Sequence, residues 1–327
     1  MKKNFKNFIR QKNQSTKLFT PGPASLVLEN ITGLRPCFGR GDFKYDEIEK
    51  RVLKNILKIS GHKNIARLQG AASLALEIMI SNFLFGNILI INTGVYSDRL
   101  KYMSETSKRK YNFIKKIDYV SYKELDQISK KYDWVMACPV ETSIGYKIPI
   151  EKLFKIKKKC RSKLALDATA SIGLENNHKL SDVAAFSSCK GLFGLTGGAF
   201  ITFNEKSYNE VNEFNLNILN HLGKKMTGPY HAICSLDGIL KDYKNFSYSV
   251  KLNKKIFIQK MKEYLLYPNK NQPNLCTLIN KKIDTLDKSV VLYQSRADIK
   301  GSVVCHLGEV HLKKSSKGRI LDYLKVL

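Results

Sequence analysis

The chain has 327 residues, 43% of them hydrophobic, and carries 56 Lys and Arg against 28 Asp and Glu, a formal charge of +28. That is the apolar share of an ordinary globular protein, long enough for one large domain with a smaller one attached. No apolar run reaches bilayer-spanning length, and the seven cysteines form no CxxC pair, which argues against a membrane partner, a disulfide framework and a metal site.

In chain order, residues 1–17 ("MKKNFKNFIRQKNQSTK") are basic, contain no acid and lack the apolar middle of a secretory signal, so they read as a partly frayed basic arm. From about residue 61 the pattern alternates. A helix is predicted over 70–85, a strand at 87–94, a helix after Asp98, a strand at 134–140, a helix near 150–160, and strands at 163–168, 183–188 and 197–203. Apolar, strand-length runs separated by helices predict an α/β domain built on a mostly parallel sheet covered on both faces, here residues 18–240. Beyond it, a long helix (247–265), short strands "LCTLI", "VVLYQ" and "SVVCHLG", and a closing helix near 316–326 predict a smaller α+β domain over 241–327.

The high charge invites a nucleic-acid reading, but the lysines are scattered. In "KIPIEKLFKIKKKCRSK" (147–163) apolar residues recur at helical spacing and the lysines fill the other face. The expectation is a cytoplasmic protein without a nucleic-acid partner.

Parallel sheets hold their ligands beyond the carboxyl ends of the strands. The polar residues at those ends are Tyr96, Glu141, Thr142, Asp167, Ser187 and Lys190. A carboxylate and a lysine converging in one crevice form a chemical constellation, although a structural ion pair accounts for two such residues as well. Before the first of these helices, "RLQGAASLALE" (67–77) places small residues at a helix start, where free N–H groups suit a phosphate. It matches neither GxGxxG nor GxxxxGK[ST]. Together the parts describe a pocket for pyridoxal phosphate.

The order of motifs makes a family resemblance explicit. They run "FTPGPASL" (19–26), "RLQGAASLALE", "NTGVYSDRL" (92–100), "CPVETSIGY" (138–146), "LALDATASIG" (164–173), "SSCKGLFGLTGGAF" (187–200), "MTGPYHAI" (226–233) and "VVLYQSRADIKGSVVCHLG" (290–308). The chain resembles the fold-type I, class V aminotransferases. Within them the likeness is greatest to members acting on 2-aminoethylphosphonate and pyruvate, with alanine–glyoxylate transaminases more distant. The resemblance implies a pyridoxal 5'-phosphate enzyme that moves an amino group between a small amine and a 2-oxo acid. It implies that Lys190 is the Schiff-base lysine, that Asp167 faces the pyridine nitrogen, and that Tyr96 stacks on the ring. Thr142 would lie near the phenolic oxygen and Thr169 against the other face. Ala71, Ala72 and Ser73 would form the phosphate loop, with Ser187 and Cys189 nearby. Thr227 would reach the neighbouring subunit's phosphate, which implies a homodimer. Gly22 falls in the entrance segment at the substrate side.

Relatives carry an arginine that grips the substrate anion where this chain has Val303, so a bidentate clamp contributing a few kcal/mol is missing. Arg35 and Arg296 are the candidates to replace it. The rival readings are a cysteine desulfurase, against which Cys189 and Tyr96 stand where histidines are expected; a degenerate transaminase fold with altered substrate or no turnover; and a polyanion-binding protein.

Overall fold

The computed structural model describes residues 2–35, 41–312 and 319–327, with side chains from residue 4 onward. Cys37 lies outside the described residues. Seven strands form the central sheet: β1 (Asn64–Gln69), β2 (Gly86–Asn92), β3 (Ile114–Ser121), β4 (Trp134–Ala137), β5 (Lys163–Asp167), β6 (Val183–Ser187) and β7 (Gly198–Phe203), in the order β1-β7-β6-β5-β4-β2-β3. The pairs from β6 to β3 are parallel, while β7 runs antiparallel to both of its neighbours. The sheet is therefore mostly parallel, as the alternating pattern predicts.

The sequence of each strand explains why both faces are covered. Successive side chains point to opposite faces. Along β2, Ile88 and Ile90 join one core while Leu89 and Ile91 join the other; Ala165 and Leu164 divide in the same way along β5. On the first face lie helices α1 (Ala72–Phe83) and α2 (Val95–Tyr111), and on the second α3 (Ile150–Cys160) and α4 (Tyr230–Leu240). Helix α1 is apolar almost all round, as a helix pressed between a sheet and its neighbours must be, with Leu76, Ile78, Met79 and Ile80 buried.

The C-terminal region holds a long helix (Tyr243–Lys260) and an antiparallel pair, β8 (Cys276–Ile279) with β9 (Ser302–Cys305). The long helix starts four residues earlier than its apolar pattern predicts, directly after Asp242. Among the described residues of the predicted closing helix the chain instead makes a 3-10 turn, Ile320–Asp322, and a strand, Lys325–Val326, which pairs with Ile283–Asp284. Strand pairing and the burial of Ile320 outweigh helical spacing there; the predicted positions 316–318 lie outside the described residues. The N-terminal arm is also more ordered than expected. Residues Lys2–Ser15 form a helix that buries Ile9 and Asn13, with the Asn13 amide donating to the carbonyl of Leu26 (2.8 Å). Lys17–Phe19 then pairs in parallel with Val290–Leu292. Among the described residues no helix is long and apolar enough to cross a membrane.

Candidate active site

A cavity opens at the carboxyl ends of the parallel strands. Residues following five of the strands form its wall. Ala72 and Ser73 follow β1, Tyr96 and Arg99 follow β2, Cys138, Val140 and Thr142 follow β4, Asp167 ends β5 with Thr169 and Ala170 just beyond it, and Lys190 follows β6.

The Lys190 amine stands 5.5 Å from the centroid of the Tyr96 ring and has no hydrogen bond or ion pair among the described residues. Its loop is tightly held: Phe193 N–H donates to the Lys190 carbonyl (2.9 Å) and Gly194 N–H to the Ser188 carbonyl (2.8 Å). Gly191 is required, because a Cβ there would lie 2.2 Å from the carbonyl oxygen of Ile172. The entrance segment closes on the same loop. Ala24 N–H donates to the Cys189 carbonyl (2.7 Å), and a Cβ on Gly22 would sit 2.8 Å from Cγ of Lys190.

Asp167 is buried, and its Oδ1 accepts from the Thr169 N–H at 3.0 Å. Thr142 is fully buried, and the Oγ1 atoms of Thr142 and Thr169 have no hydrogen-bond partner. Two buried hydroxyls without partners in the wall of a cavity are groups built for a ligand. Cys138, also in the wall, is not a nucleophile: burial, then the charge of Asp167, pushes its thiol well above the ordinary range.

The residues expected from the sequence divide into two groups. Lys190, Asp167, Tyr96, Thr142, Thr169, Ala72 and Ser73 converge on the cavity. Ala71 precedes helix α1 as its cap, Ser187 and Cys189 flank Lys190 with their side chains 3.6 Å apart, and Gly22 touches the lysine stem. Thr227, Arg35 and Arg296 are exposed and form no part of the cavity wall. Val303 is buried between strands, packed with Cys276, Leu278 and Cys305. Sequence reasoning missed Arg99 and the acceptor role of Glu141. The signal for Arg99 was its spacing, three residues after Tyr96 and so on the same face of helix α2.

The wall fits pyridoxal phosphate on these observations. It offers an amine over an aromatic ring, a buried carboxylate, two unpartnered hydroxyls and, at the start of α1, amides that lack an intrahelical partner.

No family model matches the chain. In sequence it is similar to the 2-aminoethylphosphonate–pyruvate transaminase of Pseudomonas aeruginosa PAO1, 25% identical over 251 residues, covering 69% of this chain and 67% of the relative. The transaminase of the same name from Pseudomonas putida KT2440 is 24% identical over 252 residues, with 69% and 68% covered. In structure it is similar to alanine–glyoxylate aminotransferase from Nostoc sp., with a TM-score of 0.77, 16% identity, and 94% of each chain covered. The pyridoxamine–pyruvate aminotransferase of Mesorhizobium loti gives 0.76 at 18% identity, covering 90% of this chain and 87% of that one. The chain thus has the fold of the fold-type I aminotransferases, and its sequence likeness to these transaminases supports an enzyme of transaminase type.

Proposed function

We propose that the protein transfers an amino group from a small primary amine to a 2-oxo acid, with pyridoxal phosphate held at Lys190, and that 2-aminoethylphosphonate and pyruvate are the first pair to test. The observation that carries the reading is the convergence of Lys190, Tyr96, Asp167 and the unpartnered Thr142 hydroxyl on one cavity. The substrate pair rests on the names of the sequence relatives.

Bound there, pyridoxal phosphate would supply a ring that accepts the electrons released from the amine-bearing carbon. The chain's own residues do the rest. Lys190 Nζ would hold the cofactor and serve as the base that takes a proton from that carbon. Asp167 would keep a proton on the pyridine nitrogen. Tyr96 would pack against the ring, the hydroxyls of Thr142 and Thr169 would be its donors, and the amides of Ala72 and Ser73 would hold the phosphate. Leu76, Val140 and Ala170 exclude water from the wall. The exposed Thr227 would serve a partner's cavity in a homodimer, and the division into domains would fall near residue 240.

Purified protein mixed with pyridoxal phosphate should show visible absorbance that shifts when an amino donor is added. The donors to compare are 2-aminoethylphosphonate, alanine, serine, taurine and amino sugars, each with pyruvate and with glyoxylate. Turnover fastest with the phosphonate supports the pair; no spectral response to any amine would exclude a transaminase.

A further inference from the structure

Arginine has five N–H donors, stays charged at any physiological pH, and is costly to leave partly buried without an acceptor. Arg99 is in that position. It is partly buried in the cavity wall, its guanidinium lies 5.2 Å from the centroid of the Tyr96 ring, and no carboxylate or carbonyl among the described residues accepts from it. Other arginines are occupied or turned outward: Arg67 is buried in an ion pair with Glu49, Arg51 forks onto Asp237 at 2.7 and 2.9 Å, and Arg35 and Arg296 stand exposed.

We infer that Arg99 binds a phosphate-type oxyanion in this cavity, an inference that rests on the functional reading above. Three observations support it. Ala72 and Ser73, at a helix start, line the same cavity and supply amide donors beside it. The fully buried Thr142, with its hydroxyl unpaired, shows independently that the wall is built around a polar ligand. Its position over the Tyr96 ring, 5.2 Å from the centroid, restricts the guanidinium, so less side-chain freedom is lost when its fork meets two oxygens of an anion. With Val303 sealed among apolar side chains, Arg99 and Lys190 are the cations of the wall, and the amine of Lys190 is committed to chemistry.

The same oxyanion chemistry could come from the cofactor's phosphate or from an amino donor's phosphonate, and the arms of the test separate them. Apoprotein of the parent, Arg99→Gln and Arg99→Lys is titrated with pyridoxal phosphate and with pyridoxal, followed by visible absorbance. The loaded proteins are then titrated with 2-aminoethylphosphonate and with ethylamine. In one pair, Arg99→Gln should weaken the phosphorus-bearing ligand about 10- to 100-fold and leave its phosphorus-free counterpart within about twofold. Arg99→Lys, which keeps the charge and loses the fork, should fall between. A loss in the cofactor pair assigns the phosphate; a loss in the amine pair assigns the phosphonate. Equal changes within both pairs, or none, would overturn the inference and leave Arg99 a packing residue. If the parent itself shows no visible band, the functional reading fails, and inorganic phosphate decides the inference alone: a rise in Tm present in the parent and lost in Arg99→Gln supports it, and equal rises in both sink it.

Discussion

The buried carboxylate of Glu141 accepts the backbone N–H of Tyr96 through Oε2 at 3.0 Å, while Oε1 accepts from the N–H and hydroxyl of Ser143 at 3.2 and 2.5 Å. One side chain therefore caps helix α2 at the residue whose ring walls the cavity, and ties it to the loop carrying Thr142. Burial holds the Glu141 carboxyl above the usual carboxylate range, and the donors from Ser143 and Tyr96 offset it only in part. Glu141→Ala should weaken cofactor binding by about tenfold, with Glu141→Gln milder, because it retains an acceptor. Titration of the apoproteins measures this; an unchanged affinity in the alanine variant would separate Glu141 from the placement of Tyr96.

Asp167→Asn tests the role assigned to the other buried carboxylate. The amide preserves shape and one acceptor for Thr169 N–H. The variant should retain the cofactor and lose turnover by roughly two to three powers of ten, as expected when a main electrostatic contributor is removed. Turnover near that of the parent would make Asp167 structural.

Gly22 has φ +119°, and a Cβ there would approach Cγ of Lys190 to 2.8 Å. Gly22→Ala should displace the lysine stem and cost on the order of 1–3 kcal/mol in strain. The expected signature is a lower affinity for pyridoxal phosphate together with a lower Tm. A variant that binds and melts like the parent would show that the entrance segment does not constrain the lysine.

Much of this site was legible because a parallel sheet puts functional groups where an apolar run stops, and Asp167 and Lys190 each stand just past such a run. What was not legible depended on contacts between distant segments. Glu141 could be placed at a strand end, but its bond to Tyr96 N–H arises only when two loops meet. Arg35 and Arg296 were plausible anion binders by composition, and nothing local marks an arginine as outside a cavity wall. The apolar spacing near the C-terminus suits a helix; pairing of Lys325–Val326 with Ile283–Asp284 decided otherwise. The basic arm looked too polar to order, yet Ile9 and Asn13 suffice to dock its helix.

Buried histidines, among them His62, His178, His221 and His311, contribute to the response to acid. Burial lowers His62 to about 4, His178 to about 3 and His311 to about 4. His62 lies between Thr202 (3.0 Å) and Ser181 (3.2 Å), and His178 against Ser171 (2.9 Å). Folded values below the unfolded one mean that the unfolded chain takes up protons first. The stability these groups contribute is complete above about pH 6.5 and declines as pH falls toward their folded values. Denaturant unfolding between about pH 6.5 and pH 5 should lose on the order of 1–3 kcal/mol, with a shallower slope in His62→Gln. Equal slopes in the two proteins would show that His62 takes no part.

The central claim is that Lys190 holds the cofactor covalently. Borohydride reduction of the protein loaded with pyridoxal phosphate, followed by peptide mapping, tests it most directly. The account predicts one labelled peptide, with the label on Lys190, and none in Lys190→Ala. A label on another lysine, or no label in a parent protein that is folded and saturated with cofactor, would contradict it.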